Sequence, residues 1–62
     1  MRYLTRQEIR DIAEYLNGSD DLAIALSELG YDPAEYPEMA RWLEDEVGMT
    51  QDSTTRVWQY DN

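Results

Sequence analysis

Three apolar stripes, each closed by a single glycine, set what this chain can fold into. Ile9, Ile12, Ala13 and Leu16 recur at i, i+3, i+4 and i+7, and Asn17-Gly18 follows them. Leu22, Ala25, Leu26 and Leu29 repeat the spacing ahead of Gly30, and Tyr36, Met39, Ala40, Leu43 and Val47 carry it ahead of Gly48. An α-helix turns once in about 3.6 residues, so each set lies along one face, and a glycine past its end supplies a left-handed stop without steric cost. The starts are also written in the sequence. Thr5-Arg6-Gln7-Glu8 is a capping box, Ser19 is the expected cap of the second helix, and Asp32-Pro33 is another cap with proline at the first helical position. Pro37 either restarts the third helix or weakens its first turn. The pattern predicts helices over Arg6 to Leu16, Asp20 to Leu29 and Pro37 to Val47.

From Met49 to Asn62 the helical period is lost, and Thr54-Thr55-Arg56-Val57-Trp58-Gln59-Tyr60 is rich in β-branched and aromatic residues. An extended segment is expected there, pairing with Arg2-Tyr3-Leu4 as a small ribbon packed on the helices. The fold class expected is mainly α: one compact three-helix domain spanning residues 1–62, with a short extended C-terminal segment.

Composition removes most chemistry. The 62 residues contain no cysteine and no histidine, so disulfides, thiolate nucleophiles, imidazole bases and the usual zinc sites are excluded. The three glycines stand singly at helix ends, which leaves no phosphate-cradling loop. Asn17-Gly18-Ser19-Asp20-Asp21 departs throughout from a calcium-loop pattern. No apolar run approaches the roughly 20 residues of a membrane helix, and the amino terminus has no secretory pattern. The expectations are no enzymatic activity, no metal, no cofactor, no membrane and a cytoplasmic location.

Charge is the most informative property. Fourteen acidic residues face five arginines, for a formal net charge of −9, and lysine is absent. Arg2, Arg6 and Arg10 share the first ten residues with Glu8 alone, whereas Asp11 to Glu38 contain eight carboxylates and no base. Such a surface repels nucleic acid and anionic membranes and attracts a basic protein. At helical spacing the outer faces place large apolar groups among carboxylates: Glu8, Asp11 and Glu14 around Tyr15; Asp20, Asp21 and Glu28 around Ile24; Glu35, Glu38, Asp45 and Glu46 around Trp42. Tyr and Trp are common interface anchors. Glu14, Glu28 and the run Glu44-Asp45-Glu46 also fall in last turns, where a negative charge opposes the helix dipole by about 0.3–1 kcal/mol each. Local stability does not account for that placement.

A short, strongly acidic single domain without lysine or cysteine resembles the small inhibitors made by bacteriophages, including anti-CRISPR proteins and DNA mimics. The resemblance covers the whole chain and is one of size and charge. It implies that Asp11, Glu14, Asp20, Asp21, Glu35, Glu38, Glu44, Asp45 and Glu46 stand in for phosphates in a basic nucleic-acid channel of a target protein or complex, with Tyr15 and Trp42 as apolar anchors. Leu29-Gly30-Tyr31 is similar to the turn of ubiquitin-associated domains, but it follows the second helix rather than the first. Three other readings are a helical adaptor using Trp42 and Tyr36 on an apolar groove, an acid-rich halophilic domain whose charge serves solvation, and an unrecognised enzyme.

Overall fold

The computed structural model describes residues 3–61. Helix α1 runs over Arg6–Leu16, with both halves of its capping box formed: the Glu8 N–H donates to the Thr5 hydroxyl (3.1 Å) and the Thr5 N–H to the Glu8 carboxylate (2.9 Å). Its apolar stripe is buried completely or nearly so. Leu4, just before the cap, and Ile9, four residues into the helix, stand where a hydrophobic staple places its pair.

Helix α2 occupies Leu22–Glu28 and begins two residues later than the spacing predicts. Asp21, rather than Ser19, is its cap, accepting the Ile24 N–H at 3.1 Å, while the Ser19 hydroxyl accepts the Asp21 N–H. The cause lies outside the helix. Ser19 O accepts the Trp58 N–H (2.8 Å), and the Gly18 N–H donates to Trp58 O (2.7 Å), so this turn is held as an extended pairing surface and cannot wind. At the other end the Tyr31 N–H reaches Leu26 O and the Gly30 N–H reaches Ser27 O, with Gly30 at φ 90°. This is the Schellman arrangement that a glycine permits.

A 3₁₀ turn follows over Pro33–Glu35, capped by Asp32, whose carboxylate accepts the Ala34 N–H. Pro37 then interrupts the backbone. Residues before proline are pushed out of the helical region, and Tyr36 sits at φ −128°, ψ 63°. The third helix starts at Met39 instead of Pro37, after a turn in which the Met39 N–H donates to Tyr36 O (3.1 Å): α3 spans Met39–Trp42 and continues as a π turn over Leu43–Val47, closed by Gly48 in the left-handed conformation.

Strand β1 (Met49–Gln51) pairs antiparallel with β2 (Trp58–Tyr60), in the register Met49↔Tyr60, Thr50↔Gln59 and Gln51↔Trp58. The C-terminal segment is extended as expected, but its partner is β1. Tyr3 and Leu4 are in no strand, and Arg2 lies outside the described residues. A hairpin closes a far shorter loop than pairing with the amino terminus would. The strands complete the core, since Met49 (0% exposed) and Trp58 (3%) join the three helical stripes.

The hairpin loop carries the chain's one non-glycine residue with positive φ among those described, Arg56 at 67°. Asp52 organises the loop by accepting the Thr54 and Thr55 N–H groups. These two bonds hold its carboxyl below the usual range, the Thr55 bond contributing more than the Thr54 bond. A left-handed L-residue costs about 1–2 kcal/mol, and glycine relieves this at about 0.5–1 kcal/mol of unfolded-state entropy. Arg56→Gly is expected to stabilise by about 0.5 kcal/mol, a rise of about 2–4 °C in Tm for a domain this small. A calorimetric melt checks it; a lower Tm would mean that the arginine side chain compensates its own backbone strain.

Candidate functional site

The carboxylates divide by what they do inside the molecule. Glu8, Asp21, Asp32 and Asp52 accept backbone N–H groups at caps and turns. Asp11 accepts the Gln7 amide at 3.0 Å, Glu28 accepts the Tyr15 hydroxyl at 2.8 Å, and Glu46 faces Arg6 at 3.7 Å. Glu14, Asp20, Glu35, Glu38, Glu44 and Asp45 are exposed, and none takes a hydrogen bond or ion pair from another described residue. Of the residues expected to meet a partner, Asp21 is thus chiefly a structural cap, while these six bond to nothing among the described residues.

Their placement differs from one continuous set of helix faces. Asp20 lies in the bend before α2 and Glu35 in the 3₁₀ turn, so neither holds the helical relation to its neighbours that the spacing predicts. Around Trp42 the relation holds for Glu38, whose carbonyl accepts the Trp42 N–H, whereas Asp45 and Glu46 lie in the π turn beyond it.

The π turn explains how three successive acids follow the buried Leu43. In α winding each residue advances about 100°, which would return Glu46 to about 60° from Leu43. A π turn, with its i→i+5 bonds, takes about 4.4 residues per revolution and leaves the same side chain about 115° away. The Gly48 N–H reaches back to Leu43 O in this way, Leu43 stays fully buried, and Glu44, Asp45 and Glu46 all remain exposed. No base occupies the last turn of α1, of α2 or of the π turn, so the unfavourable dipole placement of these acids is present in the fold.

The large apolar groups fare differently. Ile24 (57% exposed) and Tyr15 (48%) stay accessible, although the Tyr15 hydroxyl is tied to Glu28 across the α1–α2 hairpin. Trp42 is half-buried. The Tyr3 ring lies beside it, 6.1 Å away and tilted by 31°. Tyr36 is only 3% exposed and packs edge-on against Tyr31, which removes it from any adaptor surface.

Tyr3, Leu4, Arg6, Ile9, Trp42 and Glu46 line a cleft of about 180 Å³ between the start of α1 and the π turn. Sequence reasoning missed the contribution of Tyr3 and Arg6. The signal that could have found it is the staple pair Leu4 and Ile9 around the capping box, which fixes the entering chain against the helix and sets Tyr3 beside it.

Two phenols are held protonated beyond the ordinary tyrosine range. For Tyr15 the main cause is its hydrogen bond to Glu28, and for Tyr31 it is burial, reinforced by the charge of Glu8. An acid whose folded pKa is raised adds stability that is complete below the unfolded value, about 10, and is lost as pH rises through the folded value. Thermal melts are therefore expected to fall at alkaline pH above about 10, and Tyr15→Phe should remove one late-ionising phenol from an ultraviolet titration. Two phenols ionising at the free-tyrosine value would overturn this.

Among the described residues no three acidic side chains are grouped to hold a metal ion, and no helix is long and apolar enough to cross a membrane. The chain matches no family model, no curated protein and no solved structure.

Proposed function

We propose that this protein is a non-enzymatic inhibitor that binds a basic, nucleic-acid-binding surface of a target protein and blocks access by steric occlusion and electrostatic competition. The observation that carries this reading is the set of exposed carboxylates without partners among the described residues, Glu14, Asp20, Glu35, Glu38, Glu44 and Asp45. Several stand where they weaken their own helix. A surface that costs stability locally and serves no contact inside the molecule is explained by a contact outside it. The partner's chemistry follows from the sign of the charge: a lysine- and arginine-lined channel, of the kind a nucleic-acid enzyme or a CRISPR effector complex presents. Acids spaced along helix and turn stand in for phosphates, and the partner's own nucleic acid is the competitor.

The test is capture on the tagged protein from lysate of the source cell, or of its host if it is viral, with washes at low salt and at physiological salt, where the Debye length is about 8 Å. The expected result is a nucleic-acid-binding protein released by added DNA and by salt. An acidic or apolar partner indifferent to DNA would overturn the reading. Capture of nothing, together with unfolding at low salt, would replace it by solvation of a halophilic domain.

A further inference from the structure

We propose that the cleft between α1 and the π turn receives one arginine side chain of the basic partner, its guanidinium lying on Trp42 and pairing with Glu46 in place of Arg6. This rests on the reading above and names the contact at its centre. The cleft combines what a guanidinium requires and little else. Its walls are two aromatic rings, Tyr3 and Trp42, and two aliphatic side chains, Leu4 and Ile9. At its rim stands Glu46, with Glu38 and Asp45 on the same helical segment as Trp42. A planar cation that is only weakly hydrated gains from an aromatic face, while its stem gains from an apolar wall. At about 180 Å³ the cleft is smaller than the roughly 300–1,000 Å³ of small-molecule sites and fits a single side chain.

The molecule already places a guanidinium here, and holds it poorly. Arg6 approaches Glu46 only through Nε at 3.7 Å, beyond hydrogen-bond length, and its side chain is 83% exposed. Neither terminal nitrogen forms the paired fork that makes arginine–carboxylate contacts strong. Arg6 is thus an exchangeable occupant of Glu46, kept near it by the start of α1. A partner arginine entering from the solvent side brings the same group with freedom to lie flat on Trp42 and present both nitrogens to the carboxylate. Lysine offers a compact, strongly hydrated charge with no plane to stack. The site should therefore prefer arginine to lysine at equal charge, a discrimination that a general acidic surface does not provide.

The experiment uses the whole protein labelled with ¹⁵N and titrated at low salt with N-acetyl-argininamide, N-acetyl-lysinamide and N-acetyl-leucinamide, reading the indole N–H resonances of Trp42 and Trp58. The arginine probe is expected to shift Trp42 and leave the core Trp58 still, with an apparent affinity about three-fold or more above that of lysine. Arg6→Ala, which removes the internal competitor, should tighten arginine binding by about two- to five-fold, the range of an exposed ion pair. Glu46→Gln should weaken it, and both positions are exposed, so the fold survives either change. Equal responses to arginine and lysine, a stronger response to the leucine probe, no response at Trp42, or weaker binding after Arg6→Ala would each overturn the proposal. None of these results touches the capture experiment, which decides the wider reading on its own.

Discussion

Trp58→Ala is expected to leave most of the chain unfolded at 25 °C. The indole is 3% exposed and closes the core from the strand side. Truncating a buried tryptophan to alanine costs about 3–5 kcal/mol, and a single core of this size supplies only about 3–5 kcal/mol in total. The loss also reaches beyond the cavity. The Trp58 backbone bonds to Ser19 and Gly18, so once its side chain no longer anchors β2, the α1–α2 turn loses its partner as well. Far-ultraviolet circular dichroism should show the helical signal of all three helices falling together. Tyr60→Ala is the matched control: it lies on the same strand at 41% exposure and is expected to cost about 1 kcal/mol or less. If Trp58→Ala melted like the parent, the helices would form an autonomous core and the hairpin would be an appendage.

That dependence is also what the sequence concealed. Helix-forming stripes are local, and α1 with its capping box could be read to the residue because Thr5, Glu8, Ile9 and Leu16 all act within their own helix. The start of α2 could not, because Ser19 is diverted by a residue thirty-nine positions away, Trp58, and a cap competes with any long-range acceptor on equal terms. The tail's extended character was legible from Val57, Trp58 and Tyr60, but its partner was not. Met49-Thr50-Gln51 carries no strong strand signal of its own and pairs because Gly48 turns the chain back. The same limit applied to the site. Which positions are acidic is visible in the sequence, whereas which acids are spent on caps, as Asp21 is, and which stand idle, as Glu38 and Asp45 do, emerges only once hydrogen-bond partners are in place.

The idle acids give the second large effect, and it takes opposite signs in two measurements. Glu38→Arg with Asp45→Arg is expected to weaken binding to a captured basic partner by about 100-fold at low salt, since like charges set opposite each other cost several kcal/mol. Raising the salt should shrink that difference as screening removes the repulsion. The same double variant should be no less stable than the parent. Neither carboxylate has a partner among the described residues to lose, and each reversal relieves a molecule whose net charge is −9, which offsets the favourable dipole position that Glu38 gives up at the start of α3. Arginine at position 45 also stands near the helix carboxyl end, where a cation is favoured by about 0.3–1 kcal/mol. A residue chosen for the fold cannot be replaced by its electrostatic opposite with a gain in Tm, so stability rising while affinity collapses would mark these positions as selected for contact. Binding unchanged after both reversals would remove the acidic face from the mechanism. Affinity and Tm falling together would instead mean that Glu38 and Asp45 support the structure.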